Sequence, residues 1–441
     1  MNTFAPRRLA LAVALTLPAL AQATPFSIFE ARGFAMGGAG VASSEYAAAS
    51  LYNPALLAVP SESNRVSFIL PAVGARASGT DGAVTAVQDF NDHKTIDNMT
   101  AAADAFQAVY DVCRNTPGSC NTTNLQARSS QLASATSQLK TDLQALSGKT
   151  YNVNAGAVAA IALPKWQYKG ALSMNVEFFG KATPYIDAAD LADVDTVING
   201  LQTYASSGNI NALSTVVDGS GNVKIGSNGS DYRSNFKIIG VAVADLGLSL
   251  ARAFTVADQS ILVGITPKIQ QVNTVAYTAN MDNNDFKLNE NKKTATGFNM
   301  DVGVAKTFEP DSAYERVRLG LVVRNLIPHT YKTTDPTQDV KMAPQLRVGA
   351  AWTSKYGTIT SDLDLTANKV VGTGTDSSQV FAIGGELNAW NVAKLRAGYR
   401  NDFKAKYSAV TAGISLLGVQ LSAAYSKDRE LAAMLQFGAS F

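Results

Sequence analysis

The stretch "LRVGAAWTSKYGTITSDLDL", Leu346 to Leu365, reads as a strand, a short turn and a second strand. Leu346, Val348, Ala350 and Trp352 fall on one face, with Arg347, Gly349 and Ala351 on the other. Period two of this kind gives a strand with one apolar and one polar side. The alternation recurs in Val317, Leu319, Leu321 and Val323 against Arg318, Gly320 and Arg324, and again in Phe298 to Val304, Leu395 to Tyr399 and Val410 to Leu416. It predicts fourteen strands, at 65–78, 151–163, 168–180, 238–254, 259–278, 294–309, 314–326, 343–354, 357–368, 378–389, 392–402, 405–416, 418–427 and 430–441. Most of these runs exceed the about five or six residues usual in soluble sheets.

The connections alternate in length. Long segments at 79–150, 181–237, 279–293, 327–342 and 369–377 are interleaved with short turns at 164–167, 255–258, 310–313 and 355–356. Short turns on one side and long loops on the other belong to a barrel inserted with its turns in the periplasm. The expected fold is all-β, a 14-stranded antiparallel transmembrane β-barrel over residues 65–441. Composition agrees, because charged residues make up 16% of the chain against about 25% in typical soluble proteins. No segment after Leu20 is apolar for long enough to span as a helix. A net charge of +2 without a basic run gives no reason to expect a nucleic-acid partner.

Both chain ends carry location signals. Residues 1–23 combine Arg7 and Arg8, an apolar run from Leu9 to Leu20 and Ala21-Gln22-Ala23, the pattern of a signal peptide cleaved before Thr24. The mature chain is expected in the outer membrane of a Gram-negative bacterium, in contact with its lipid. Trp166, Trp352 and Trp390 lie at or beside short turns, where an aromatic girdle would meet the periplasmic interface. The chain ends with Leu431, Ala433, Leu435, Phe437, Ala439 and Phe441 on one face. That ending resembles the assembly signal of bacterial outer-membrane proteins, which implies recognition of Phe441 by the barrel-assembly machinery. An even barrel that ends at the periplasmic rim also begins there, so residues 24–64 enter from below.

Those entering residues include "RGFAMGGAGVASSEYAAASLYNPALLA", Arg32 to Ala58. Side chains this small cannot build a core of their own, yet the segment lacks the Pro, Lys and Glu of a solvated linker. Gly38-Ala39-Gly40 also lacks the third glycine and the preceding strand of a dinucleotide fingerprint. With a barrel around it, the segment resembles the amino-terminal hatch of the FadL family, outer-membrane channels for long-chain fatty acids and other hydrophobic molecules. The residues that carry the likeness are Gly33, Met36, Gly37, Gly38, Ala39, Gly40, Val41 and Ala42, then Tyr52, Asn53, Pro54 and Ala55. Within that superfamily the "ARGFAMGGAGVA…NPALL" start, the length and an Ala-rich helical insertion are most similar to the conjugal-transfer TraF-like group. The resemblance implies a monomeric channel for passive passage of a hydrophobic or amphipathic small molecule. Its alternative implication is a non-transport envelope component of plasmid conjugal transfer. Thioredoxin-like proteins that share the TraF name usually carry Cys-x-x-Cys, whereas the spacing here is Cys-x6-Cys.

The long loops switch period. The insertion at 83–148 shows Val84, Val87, Ala103, Phe106, Val109, Leu125, Leu132, Leu139, Leu143 and Leu146 at helical spacing, which predicts two facing helices joined at Pro117-Gly118. Cys113 and Cys120 flank that turn and, in an oxidising compartment, are expected to form a disulfide. Capping of the barrel mouth is favoured over partner docking for this hairpin. A further helix at about 187–205 places Leu191, Val194, Ile198 and Leu201 on one face, with Asp187, Asp190 and Asp193 early, an acidic start that suits the helix dipole and reads as capping. Asp282, Asn283, Asn284, Asp285 and Glu290 are oxygen-rich but not spaced as an EF-hand, and no metal or cofactor is expected.

Strand parity turns Arg318, Arg324, Arg347, Asp362, Asp364, Glu386, Arg396 and Arg400 away from lipid, where a basic residue at mid-membrane would cost about 2–4 kcal/mol. Mutual neutralisation across neighbouring strands is the favoured role for these lumen charges, ahead of binding a ligand carboxylate. No G-x-S-x-G occurs and neither His93 nor His329 has an evident catalytic partner, so an enzyme is not expected.

Overall fold

The computed structural model describes residues 27–60, 66–79, 82–163, 169–224, 233–280, 291–309, 315–335, 339–369, 377–389, 393–427 and 429–440. The signal segment, Trp166, Trp390, the acidic loop at 281–290 and Phe441 lie outside these residues.

The alternating runs form strands β1 (Ser67–Gly79), β2 (Tyr151–Leu163), β3 (Lys169–Tyr185), β4 (Asn235–Val256), β5 (Gln259–Asn280), β6 (Lys292–Phe308) and β7 (Arg316–Arg324). A small hairpin of β8 (His329–Tyr331) and β9 (Val340–Met342) follows, then β10 (Gln345–Thr353) and β11 (Gly357–Asp364). Another hairpin joins β12 (Asn368–Lys369) to β13 (Ser377–Ser378). The chain finishes with β14 (Val380–Ala389), β15 (Ala393–Asp402), β16 (Tyr407–Leu416), β17 (Val419–Ser426) and β18 (Glu430–Ser440). Apart from the two hairpins, these strands pair into a closed antiparallel barrel in which β1 joins both β2 and β18. Fourteen strands therefore make the wall, one at each predicted run.

Closure satisfies every strand edge within the wall, the condition for a sheet to span lipid. The wall is turned inside out relative to a soluble protein. On β3, Leu172, Met174 and Phe178 are exposed on the outer face, whereas Ser173, Asn175 and Glu177 are buried toward the lumen. Around the short-turn end, Phe254, Phe308, Trp352 and Tyr356 are exposed. Three of these rings sit near a cation, with Arg252 at 5.7 Å from Phe254, Lys306 at 4.7 Å from Phe308 and Lys355 at 4.8 Å from Tyr356. Rings paired with basic side chains suit the membrane–water boundary. The turn between β4 and β5 is two residues, Ala257 and Asp258, both at positive φ, which matches the twist of a tight hairpin. In β1 the pairing shifts on both sides between Ile69 and Ala72, where Pro71 has no N–H to donate.

The long insertion departs from the two-helix expectation. Three helices span Ala83–Asp92, Thr95–Asn115 and Thr122–Leu146, the first break falling at Lys94, whose φ is 47°. Helical periodicity runs through that break because one left-handed residue reorients the chain without interrupting the apolar spacing. Phe106, Leu125 and Leu132 are buried, but Val87 is exposed and Leu143 and Leu146 only half-buried. The buried set packs against Val197, Leu201 and Tyr204 of the helix at Ala188–Ser207. The inner face of that helix is thus rotated from the predicted one, and Leu191 and Val194 lie at its half-buried edge. Asp187 caps it by accepting a hydrogen bond from the Ala189 N–H at 2.8 Å. Cys113 and Cys120 are disulfide-bonded at the tip of the hairpin.

Candidate functional site: the hatch inside the barrel

Residues 27–59 fill the lumen at the short-turn end and the middle of the barrel. Two short helices and a 3-10 turn give the segment its shape. Glu30 caps the first, Ala31–Ala35, accepting from the N–H groups of Arg32 and Gly33. Asn53 caps the 3-10 turn Pro54–Ala58 through the Ala55 N–H, and Pro54 occupies the first position, where a missing N–H costs nothing. The Asn53 amide also donates to Val41 O at 3.0 Å and to Val304 O at 3.3 Å, tying two hatch turns to the wall.

The sequence-predicted hatch residues collect around Tyr52, which is 2% exposed. Gly33 and Gly40 lie flat against its ring and hydroxyl, with no room for a Cβ. Gly37, at φ 79°, presses on the backbone of Tyr399, and its N–H donates to Thr411 Oγ1 at 3.0 Å. Met36 is fully buried against Gly384 and Gly398, and Pro54 lies over Gly264.

The wall makes space for this segment with glycine. Gly264 pairs across strands with Gly303, Gly320 with Gly349, and Gly384 with Gly398, all facing the hatch. A Cβ at Gly320 would stand 2.5 Å from Val41 O, and one at Gly384 the same distance from Met36 Cα. Contacts that close leave no slack for a methyl group. The parity that locates inward charges also marks these glycines, so the signal was present in the sequence.

Between the glycines, wall side chains grip the hatch. The Asp362 carboxylate accepts from Gly40 N at 2.8 Å and Val41 N at 3.0 Å. Arg347 donates to Gly38 O, Arg318 to Ala42 O and Arg324 to Ser27 O, each at 3.2–3.3 Å. Gln436 accepts from Ala31 N, and Thr411 donates to Ala35 O. Only part of the predicted charge set forms the expected cross-strand ladder. Arg347 pairs with Asp364 at 2.6 Å and Arg396 with Glu386 at 2.7 Å, each on the adjacent strand. Arg400 pairs with Glu430. Arg318 and Asp362 instead reach into the hatch, which offers them a carbonyl and N–H groups, and Arg324 does both, lying 4.0 Å from Asp301 on the adjacent strand and 3.9 Å from Glu177.

One hatch side chain returns the grip. Arg32 donates to both Glu386 oxygens, from Nε at 2.9 Å and Nη2 at 3.3 Å, and its Nη1 reaches Ser43 O. Its guanidinium is held charged well above the ordinary arginine range: burial opposes this, and the carboxylates of Glu386, Glu45 and Glu30 outweigh it. Lys394 adds a bond to Glu45 at 2.8 Å near the short-turn end. Sequence reading missed Arg32, Glu45 and Lys394, together with a second buried cluster in which Lys268 bridges Asp245 and Asp301 at 3.2 and 2.9 Å. The same parity identifies the wall members of this cluster, whereas pairs across the lumen leave no trace in local spacing.

Two cavities border the hatch. One of about 20 Å³ is lined by Asp245, Lys268 and Arg324 beside Ile28 and Leu51, and one of about 50 Å³ lies between Phe34, Tyr52 and the wall. Neither approaches the roughly 300 Å³ of a drug-sized ligand pocket.

Residues 50–364 match the sequence family described as F plasmid transfer operon, TraF, protein. No curated protein matches the chain in sequence. Among solved structures, the Ralstonia pickettii toluene transporter TbuX is similar at 12% identity and a TM-score of 0.48, over 96% of this chain and 99% of that one. The Pseudomonas putida toluene transporter TodX is similar at 12% identity and a TM-score of 0.32, over 95% of this chain and 98% of that one.

Proposed function

The chain belongs to the family described as F plasmid transfer operon TraF protein, and from that premise we propose that it is an outer-membrane channel closed by its own hatch. Hydrophobic or amphipathic small molecules would pass when the hatch moves aside. The observation that supports this reading is how the hatch is held. Its main chain hangs on hydrogen bonds to wall side chains, and ionic contacts tie it to the wall at Arg32 with Glu386 and at Glu45 with Lys394. The substrate class follows from the hatch resemblance, carried by Met36 to Ala42 and Tyr52 to Ala55.

Planar-bilayer recording of the purified chain tests the reading. The intact protein should stay at low conductance, and a variant lacking residues 27–58 should be persistently open. Equal closed-state conductance in the two would overturn it. A second reading, an envelope component of conjugal transfer, is favoured by the small polar cavities and by the helical insertion, whose apolar core does not depend on the hatch. It predicts that a donor strain without the protein transfers plasmid at reduced frequency while its uptake of toluene or fatty acid is unchanged.

A further inference from the structure

The cavity of about 50 Å³ between hatch and wall has an unusual balance of hydrogen-bonding groups. Arg400 is only 8% exposed and lines it. Its Nη2 ion-pairs with Glu430, but its Nε has no hydrogen-bond partner. Arg76 lines the same cavity, lies 5.7 Å from the Phe34 ring, and its Nε also lacks a hydrogen bond, the nearest carboxylate oxygen being Glu430 Oε1 at 3.7 Å. The Tyr52 hydroxyl, contributed by the hatch, is a third buried donor without a partner.

The acceptor oxygens nearby are already engaged, with the exception of Glu430 Oε1. Asp402 faces the cavity, but its carboxylate accepts from Ser378 Oγ and from the N–H groups of Gln379, Lys404 and Ala405. Glu430 also takes the Tyr407 hydroxyl at 3.0 Å, and it alone faces two guanidinium groups. Arg347, the other cation on the cavity, is paired with Asp364. The charges of Arg76 and Arg400 are matched by those of Glu430 and Asp402, but three directed donors are left over against one free acceptor oxygen. A buried donor without an acceptor is costly, so such a cluster is stable when something supplies oxygen.

We propose that this cavity is a binding site for one small oxyanion, a carboxylate, phosphate or sulfate, that bridges Arg76 and Arg400 of the wall to Tyr52 of the hatch. A ligand with two or three acceptor oxygens meets the two guanidinium Nε–H groups and the hydroxyl together. The volume admits a few waters or one compact ion and excludes an acyl chain. Because the ion touches both parts, its binding holds the hatch closed. The site stands on its own geometry and does not depend on the channel reading.

Isothermal titration of the full chain in detergent tests it, with phosphate, sulfate, acetate and benzoate as probes and chloride as the control. Saturable one-site binding of at least one oxyanion is expected, weakened about tenfold or more in Arg400→Gln and about fivefold in Tyr52→Phe. Heat-modifiable gel migration reports whether each variant keeps its barrel, and Tyr52→Phe, which removes a single oxygen from the hatch, serves if Arg400→Gln does not fold. Preference for phosphate or sulfate assigns an inorganic ion, and preference for acetate or benzoate assigns an organic acid. No saturable binding of any oxyanion, or wild-type affinity in Tyr52→Phe, overturns the proposal.

Discussion

The hatch and the helical insertion are both appendages of one barrel, yet they are held by opposite means. The insertion rests on large apolar side chains, Phe106, Leu125, Leu132, Leu201 and Tyr204, and a disulfide closes its tip. The hatch buries Phe29, Met36, Tyr52, Leu56 and Leu57 against a wall rich in Gly and Ala, and directional polar contacts from that wall add to its hold. Apolar contact is non-directional and tolerates sliding, whereas a hydrogen bond inside a low-dielectric lumen is either made or costly to lose. On the proposed channel reading, a part built to stay folded stands beside a part whose hold is directional.

The sharpest way to break this comparison is Glu386→Gln. It leaves Arg32 and Arg396 facing a neutral amide, and losing one member of a buried ionic cluster costs about 3–5 kcal/mol. Proteolysis at Arg32 should accelerate and bilayer conductance rise, with hydrogen exchange in the insertion unchanged. Normal hatch protection in this variant would remove the ionic grip as an explanation.

Leu201→Ala should do the reverse. A fully buried leucine lost from the insertion core costs about 2–5 kcal/mol. Exchange should quicken through residues 95–146 while conductance stays at the wild-type level; a leaky channel would mean that the two regions are coupled. Removing the disulfide with Cys113→Ser and Cys120→Ser closes no long loop and should cost about 2 kcal/mol, read as faster exchange confined to the helix ends near the tip.

The smallest effect is one of pH. Asp142 is buried, which alone would raise its pKa, but hydrogen bonds from Thr95, Gln138 and His93 prevail and hold it below the ordinary aspartate range. A carboxylate depressed on folding adds stability above its unfolded pKa of about 3.9 and loses it as pH falls through the folded value. Exchange protection around residues 93–95 and 138–142 should therefore be full at neutral pH and decline in acid below about pH 4. Asp142→Asn should flatten that decline, and an unchanged profile would assign the acid sensitivity to another group.

Much of the barrel is legible in the sequence because its cause is local. A strand with lipid on one side and a lumen on the other must alternate, so Leu319 and Leu321 against Arg318 and Gly320 announce their faces without any knowledge of neighbours. Element ends were less legible. β4 and β5 run longer than their apolar alternation, since pairing continues after lipid contact stops, and β7 and β11 are shorter. The break at Lys94 escaped because neither Gly nor Pro marks it. The grip on the hatch escaped for a different reason. Arg32 and Glu386 are 354 residues apart, and parity says which way a charge points but not what stands opposite.

The paired wall glycines also bear on how this segment can evolve. Wall contacts at Ser27, Ala31, Ala35, Gly37, Gly38, Gly40, Val41 and Ala42 are to main-chain atoms, so the barrel recognises a path and not a set of side chains. A saturation scan should accordingly find almost any enlargement rejected at Gly320, Gly384 and Gly398. Lineages that keep this curve are free to rewrite much of its lettering.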